Sequence, residues 1–458
     1  SSGDVINVAA DFDNGKIYFG INGTYYANDG GTDGDPAGST NESMSGIDLT
    51  ASEYVPAFHI RSDNATGGNQ MIVNFGQEGT FVGTETAGGN SDANGVGNFF
   101  NAVPSGFLAL ASSNLPDPTI GPGQSSQSDD HFNTVLYTGN ASTLNVTGVG
   151  FQPDWVWLKS RAATRHHMLY DSVRGATKAI RSSLTNAEIT GATTLTSFDS
   201  DGFSLGADSD VNTAESFVSW NWKAGGSASS NSNGTITSSV SANQDAGFAV
   251  GTYTGNATAG ATIGHGLGAI PEMVIVKRRD NARDWAVYHK DQTATPTNAY
   301  LLLNSTASAG IGNTAWNNGT FTTDVFTIGS HELVNYSGDS YVFYAFKGIE
   351  GYSKFASYTG NGSADGAFVF TGFRPAWVMV KRTNAAENWR MQDSKRLGYN
   401  PEGKELYADL NLAEASNSFD IVSNGFKIRN TSNGYNASGS TYIYLAFAEA
   451  PFKFANAR

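Results

Sequence analysis

Pro153–Lys159 reads PDWVWLK, Pro271–Lys277 reads PEMVIVK, and Pro375–Lys381 reads PAWVMVK. In each, Pro and Lys are six positions apart. Alternate side chains of a strand face opposite sides, so Trp155 and Trp157 point one way, Val156 and Leu158 the other. Both sets are apolar, which predicts a central strand buried on both faces. The surroundings repeat too. YTGN stands upstream at Tyr137, Tyr253 and Tyr358, and eight residues past each lysine come His167, Trp285 and Trp389. Next come SDGFSLG at Ser200, TDVFTIG at Thr323 and SNGFKIR at Ser423. Each copy closes on an aromatic strand: FVSWNWK from Phe217, YVFYAFK from Tyr341 and YIYLAFA from Tyr442. Landmarks kept in register through three copies identify a repeat array, an architecture that presents surfaces more often than it performs chemistry.

The rest of the chain divides around this array. Residues 1–117 form a separate module, in which Val5–Phe12 and Lys16–Ile21 read as a hairpin turning at Asp13-Asn14-Gly15. Further strands are expected at Val55–Phe58 and Met71–Phe75. Residues 118–130 (rich in Pro, Gly, Ser and Gln) and 225–244 (rich in Gly and Ser) read as linkers. The repeats then occupy 131–224, 245–350 and 351–458. The fold class is all-β, in tandem β-sandwiches of the jelly-roll or lectin-like kind. A short helix is expected at Ala176–Leu184, whose counterparts Tyr300–Asn304 and Glu405–Asn411 look extended or mixed.

Composition narrows the functions. The 458 residues carry a net charge of −15 and no cysteine. The acidic balance argues against sequence-independent nucleic-acid binding, which needs a basic surface. Without cysteine there are no disulfides and no thiolate metal site. No apolar run reaches the roughly 20 residues of a spanning helix, so membrane insertion is not expected. The 54 glycines and the abundant Ser, Thr, Asn, Tyr and Phe favour strands joined by tight turns.

Two resemblances add to this reading. GDVINVAADFDNGKIYFGING, the YVPAF strand, VNFGQ and the closing PSGFLAL resemble the C-terminal part of a SPRY-type (concanavalin-like) sandwich. The first half of that sandwich is missing, so a segment is expected ahead of Ser1. The repeats, with YTGN, PxWVxVKxR, NGF and the final YIYLAFAEAPF, resemble structural or fibre proteins of tailed bacteriophages, marine ones in particular. That resemblance implies a virion protein with surface exposure and no catalytic residue, and leaves its place in the virion open; the expectation built on it is a non-enzymatic tail fibre or surface appendage that displays loops for attachment to host cell-surface glycans. It implies contacts with other virion proteins and self-association, with a homotrimer as the guess. A capsid-decoration or filament subunit is the alternative within the same class, and a glycan-processing enzyme the alternative from another, since paired carboxylates lie far apart in sequence.

Candidate binding residues follow from residue type. Each repeat places cations after its central strand: Arg161 and Arg165; Arg279 and Arg283; Arg382 and Arg390. Guanidinium forks grip anionic glycans or phosphates; the same arginines suit salt bridges between modules. His166 and His167, beside Arg161 and Arg165, form an anion- or metal-binding candidate or an ordinary loop pair. Trp316, in NTAWNNG, lies outside a strand core and is the tryptophan best placed to stack on a sugar. Asp29, Asp33 and Asp35, in a Gly-rich loop, read first as a plain surface loop, with oxygen ligands for Ca²⁺ as the alternative, since the EF-hand pattern with its terminal glutamate is absent. Asp199, Asp201, Asp208 and Asp210 are a weaker set of the same kind.

Overall fold

The computed structural model describes residues 3–47, 71–114, 118–121, 124–312, 314–401 and 403–450. They fall into two compact units, divided between Asp117 and Pro118. The first unit holds a small antiparallel sheet of Ile6–Asp11, Lys16–Ile21, Thr24–Tyr26 and Met44–Ser45. Its first hairpin pairs Asp11 with Lys16 and turns through Gly15 at φ +65°. The second pairs Ile21 with Thr24 through Asn22 (φ 50°) and Gly23 (φ 87°), the left-handed pair that a two-residue hairpin loop needs. Tyr18 is fully buried and meets Phe107 of PSGFLAL edge-on. The strand expected at Met71–Phe75 is irregular chain instead, and that expected at Val55–Phe58 lies outside the described residues.

The second unit is built from the three repeats, each a sandwich of a large inner sheet and a small outer one. The inner sheets share one order. A lead strand (Phe132–Thr138, Phe248–Thr254 or Ser353–Thr359) pairs with the closing strand (Ser216–Trp222, Ser340–Phe346 or Thr441–Ala450). The closing strand pairs with the central strand (Trp155–Ser160, Met273–Arg278 or Arg374–Arg382), and the central strand with a fourth (Met168–Asp171, Ala286–His289 or Arg390–Asp393). The outer sheet centres on the GF strand: Gly202–Leu205, Val325–Ile328 or Gly425–Ile428.

The central strands are buried on both faces, as the alternation predicts. One face packs on the module's own outer sheet. Val156 and Leu158 meet Val146, Phe203 and Leu205; Val378 and Val380 meet Val369, Phe426 and Ile428. The other face does not look to solvent. Trp155, Trp157, Trp220 and Trp222 of the first module share a single core with Met273, Ile275 and Tyr344 of the second, and with Trp377, Met379 and Phe447 of the third. Trp155 stacks on Tyr344 at 4.4 Å between centroids, Trp222 meets Trp377 at 5.6 Å, and Phe346 meets Phe447 at 6.2 Å. The modules therefore pack around a common aromatic centre rather than following one another along a line.

Three expectations are corrected. The 225–244 linker supplies strands Ser229–Asn231 and Ser238–Asn243, which extend the second inner sheet to eight strands. Its serines and Val240 alternate, and small residues let the strand lie close on its neighbour. The 118–130 linker is packed as well: Ile120 is buried in the shared core, and Ser128 Oγ donates to the Glu449 carbonyl at 2.9 Å. Ala176–Leu184 contains the short strand Lys178–Ala179, paired with Ile189–Thr190, in place of a helix.

Because the core is common, the second unit is expected to unfold as one. Trp377→Ala should remove about 3–5 kcal/mol and move a single urea transition, with fluorescence and circular dichroism coincident. A transition in which two modules keep their stability would contradict the shared core.

Candidate functional site

The interfaces between modules use one set of positions three times. Where the fourth strand ends, Asp171 accepts from Tyr344 Oη at 2.8 Å, joining the first module to the second. Asp393 accepts from Trp220 Nε1 at 3.1 Å, joining the third to the first. His289 faces the Tyr444 carbonyl at 3.3 Å, joining the second to the third. The contacts close a cycle. Their chemistry follows the partner: Trp220 and Tyr344 offer a polar donor, whereas Leu445 at the same position of the third module offers none. There a histidine reaches a backbone carbonyl instead of a carboxylate meeting a side chain.

Arg174 and Arg396, each three residues past its aspartate, are completely buried and pair with Asp171 and Asp393 at 2.5 Å. Burial works against the Arg174 charge, but Asp171, Tyr344 and Glu188 outweigh it and raise its pKa. A buried guanidinium left without its carboxylate costs several kcal/mol, so these pairs are fixed points of the assembly.

Two of the six predicted arginines pair across the same junctions. Arg161 pairs with Glu414 of the third module at 2.5 Å, and Arg279 with Glu188 of the first at 2.9 Å. Backbone bonds accompany both pairs: Glu414 N to Arg161 O at 2.9 Å and Glu188 N to Arg279 O at 2.8 Å. At the third junction Ala309 N donates to Thr383 O at 2.8 Å, with no ion pair between those two residues. The other arginines are held within their own modules. Arg165 pairs with Glu215, Arg283 with Glu332 at 2.8 Å and Arg390 with Glu405 at 2.9 Å. Arg382 donates to Asn384 Oδ1 at 3.1 Å. The repeat lysines go deeper still: Lys159, Lys277 and Lys381 are fully buried. Lys277 Nζ donates to the carbonyls of Thr185, Arg278 and Arg283, and Lys381 Nζ to that of Thr306. The recurring cations thus knit modules and loops together.

His166 and His167 part company. His166 is half-buried, with Nδ1 3.0 Å from Ser183 Oγ. His167 is buried at the position held by Trp285 and Trp389 in the other modules. Those tryptophans donate across the junctions to the carbonyls of Arg181 and Leu302. His167 Nδ1 accepts from Trp157 Nε1 at 2.8 Å, and burial, with Lys159 nearby, holds its pKa well below the usual value.

One further expectation is corrected. Trp316 is fully buried, edge-on to Tyr288 and Phe321 at 6.1 Å, because the turn carrying it folds under the second outer sheet. Among the described residues no three His, Asp or Glu side chains gather as a metal would need. Asp29 and Asp35 accept from amides of their own loop, Gly31 and Gly38, and Asp33 accepts from the Asn41 side chain. Asp201 likewise serves the amides of Gly148 and Gly150, and Asp210 pairs with Arg181.

An exposed candidate lies where the sequence pattern offers little warning. A depression of about 280 Å³ in the third module is lined by Arg374, Tyr399, Asn400, Val422, Ser423 and Glu449. Tyr399 is 67% exposed. Asn400 anchors its loop to Ile421, donating to the carbonyl at 2.7 Å and accepting from the amide at 2.9 Å. The loop spans 397–403, where the first module has only 175–177 between the equivalent arginine and the next strand. Comparing loop lengths between aligned repeats is the signal that could have found it.

The junction histidines give the assembly an acid limit. His289 Nε2 faces a carbonyl and Nδ1 accepts from the Asp291 amide at 3.1 Å, so both nitrogens suit the neutral ring. Burial pushes its pKa down to about 3 from 6.5. Between those values the unfolded chain binds the proton and the folded chain does not. Stability is therefore full above about pH 6.5 and falls as pH drops, by up to about 1.4 kcal/mol per pH unit for this group. His289→Gln should flatten that fall, read as urea midpoints at about pH 7 and about pH 4.5. An unchanged slope would mean the ring does not titrate this way.

No curated protein and no solved structure matches the chain. The profile of a domain of unknown function, DUF7483, matches residues 127–451, from just before the first module to near the end of the third. The chain belongs to the DUF7483 family.

Proposed function

We propose that this chain is a non-enzymatic structural protein of a bacteriophage virion surface, a tail fibre or similar appendage that displays loops for attachment to host-surface glycans. The observation that carries the reading is the division of labour within the repeats. Inward positions are spent on one shared core, and the recurrent charged residues on junctions and loop anchoring. What differs between modules is the outer loops, of which 397–403 with its exposed Tyr399 is the clearest. Variable loops on a rigid frame are where recognition sits, and weak sites add through multivalency when copies associate.

A capsid-decoration or filament subunit is the second reading, favoured by the first unit. There Ile6 lies opposite Ile21 and Val8 opposite Phe19, all more than a third exposed on one sheet face. Such an apolar face suits contact with another virion protein or a second copy.

The test is binding of the purified full chain to immobilised host-envelope polysaccharide, with polymer length followed in parallel. Saturable binding with the polymer intact is expected. Shortening of the polymer would overturn the reading in favour of an enzyme, and no binding to any host polysaccharide would overturn it in favour of the subunit.

A further inference from the structure

The three outer sheets share a backbone, which allows a position-by-position comparison of what each shows to solvent. At the edge of each sheet the inward residue is Val146, Ile263 or Val369, opposite Phe203, Phe326 or Phe426. The outward residues on either side are Asn145 and Thr147 in the first module, Thr262 and Gly264 in the second, and Phe368 and Phe370 in the third. The second module covers its own edge: Thr235 exchanges hydrogen bonds with Thr262, and Ser238 Oγ donates to the Gly264 carbonyl. The first leaves its edge open with Asn and Thr. The third leaves it open with two phenylalanines, 49% and 50% exposed.

Water-facing phenylalanine on an edge strand is costly where polar residues serve in the sister modules, so the pair calls for a ligand. Register sets out the face as two rows: Phe368, Lys427, Asp420, and Phe370, Gly425, Val422. A Cβ at Gly425 would overlap the Val369 carbonyl oxygen, so this glycine answers to the close approach of the edge strand, as Gly202 does beside Val146 in the first module. Lys354 Nζ sits 5.2 Å from the centre of the Phe370 ring. Lys427 pairs with Asp365 at 2.8 Å and Arg429 with Asp420 at 3.3 Å, and Asp365 is 80% exposed. Val422 is also a wall of the depression beside Tyr399, so the face runs into it.

We infer that this face of the third module is a saccharide-binding site, with Phe368 and Phe370 as stacking platforms and Tyr399 at its far end. The inference rests on the attachment reading and assigns it a place. A sugar ring offers an apolar C–H face to an aromatic ring and a rim of hydroxyls to the groups around it. Here the two rings are successive outward residues of one strand, about 7 Å apart, and Lys427 and Asp420 continue the row of Phe368 across neighbouring strands about 4.8 Å apart. A protein partner wants a continuous apolar centre with charge kept to the rim; on this face Lys427 and Asp420 stand in the same row as Phe368. Lys427 and Asp420 are partly covered, and Lys427 also donates to the Gly366 carbonyl at 3.2 Å, but their partners Asp365 and Arg429 are exposed, so each pair presents one charged group to hydroxyls or to a charged substituent.

The test uses the full chain against a panel of neutral and acidic bacterial envelope polysaccharides. Phe368→Asn with Phe370→Thr gives the third module the first module's outward pair. It is expected to lower affinity by about tenfold or more with thermal unfolding unchanged. Phe368→Tyr with Phe370→Tyr, which keeps the rings, should retain binding, as should Leu412→Ser, a change at an exposed leucine of another loop. If the wild-type chain binds and the Asn/Thr variant binds equally well, or the Tyr variant loses binding too, the site is wrong while attachment stands. If the wild-type chain binds none of the panel, both readings fall together.

Discussion

Everything in the repeat unit depends on burying the second face of each inner sheet. A sandwich needs only one apolar face per sheet, and the outer sheets of these modules supply that partner. The inner sheets carry aromatic residues on both faces, and a face bearing Trp155, Trp157, Trp220 and Trp222 cannot be left in water. Three such faces turned toward one another solve the problem together. The buried Asp–Arg pairs, the buried lysines and the neutral histidines then follow, because charged groups carried into the junctions need partners there, whereas the indole N–H groups of Trp155, Trp222 and Trp377 are buried without one.

The junctions show how a repeat diverges without losing its geometry. At the closing strand the same position holds Trp220, Tyr344 and Leu445, and the residue facing it across the junction changes in step from Asp393 to Asp171 to His289. The third case exchanges a charge-assisted contact for a neutral one. The module boundary is conserved as a shape, and its chemistry is free to vary as long as donor meets acceptor. The outer faces are under no such restraint, which is why two phenylalanines stand where a sister module has Asn145 and Thr147.

The sequence carried the modules well and their arrangement poorly. Six-residue Pro-to-Lys spacing and strict alternation revealed the central strands, their double burial and the closing partners, because these are local properties of a pleated strand. The same alternation held the clue to the shared core, since a strand apolar on both sides needs a cover on both, but it could not say that the covers were the other modules. Composition misled at 225–244, where serine and glycine suggested a linker and the chain makes strands. Trp316 misled in the opposite sense, as a turn-like context hid a residue folded beneath a sheet. The recurrent arginines were legible as a pattern and ambiguous in role until their glutamates, Glu188 and Glu414, were brought from other modules.

The cycle of contacts also bears on how the protein is made. The partner of Trp220 and Trp222 in the third module, Trp377, is encoded well downstream of them, and Phe447 follows later still. At ordinary synthesis rates the first module waits on the order of ten to forty-five seconds after its own last strand emerges before Phe447 exists. Through that interval the tryptophan-rich surface has at most the second module to cover it, through Phe248, Tyr344 and Phe346. A nascent chain of this design is most exposed to aggregation before its third module emerges, and a pause or truncation at that stage leaves a sticky intermediate where a linear string of independent domains would leave folded ones.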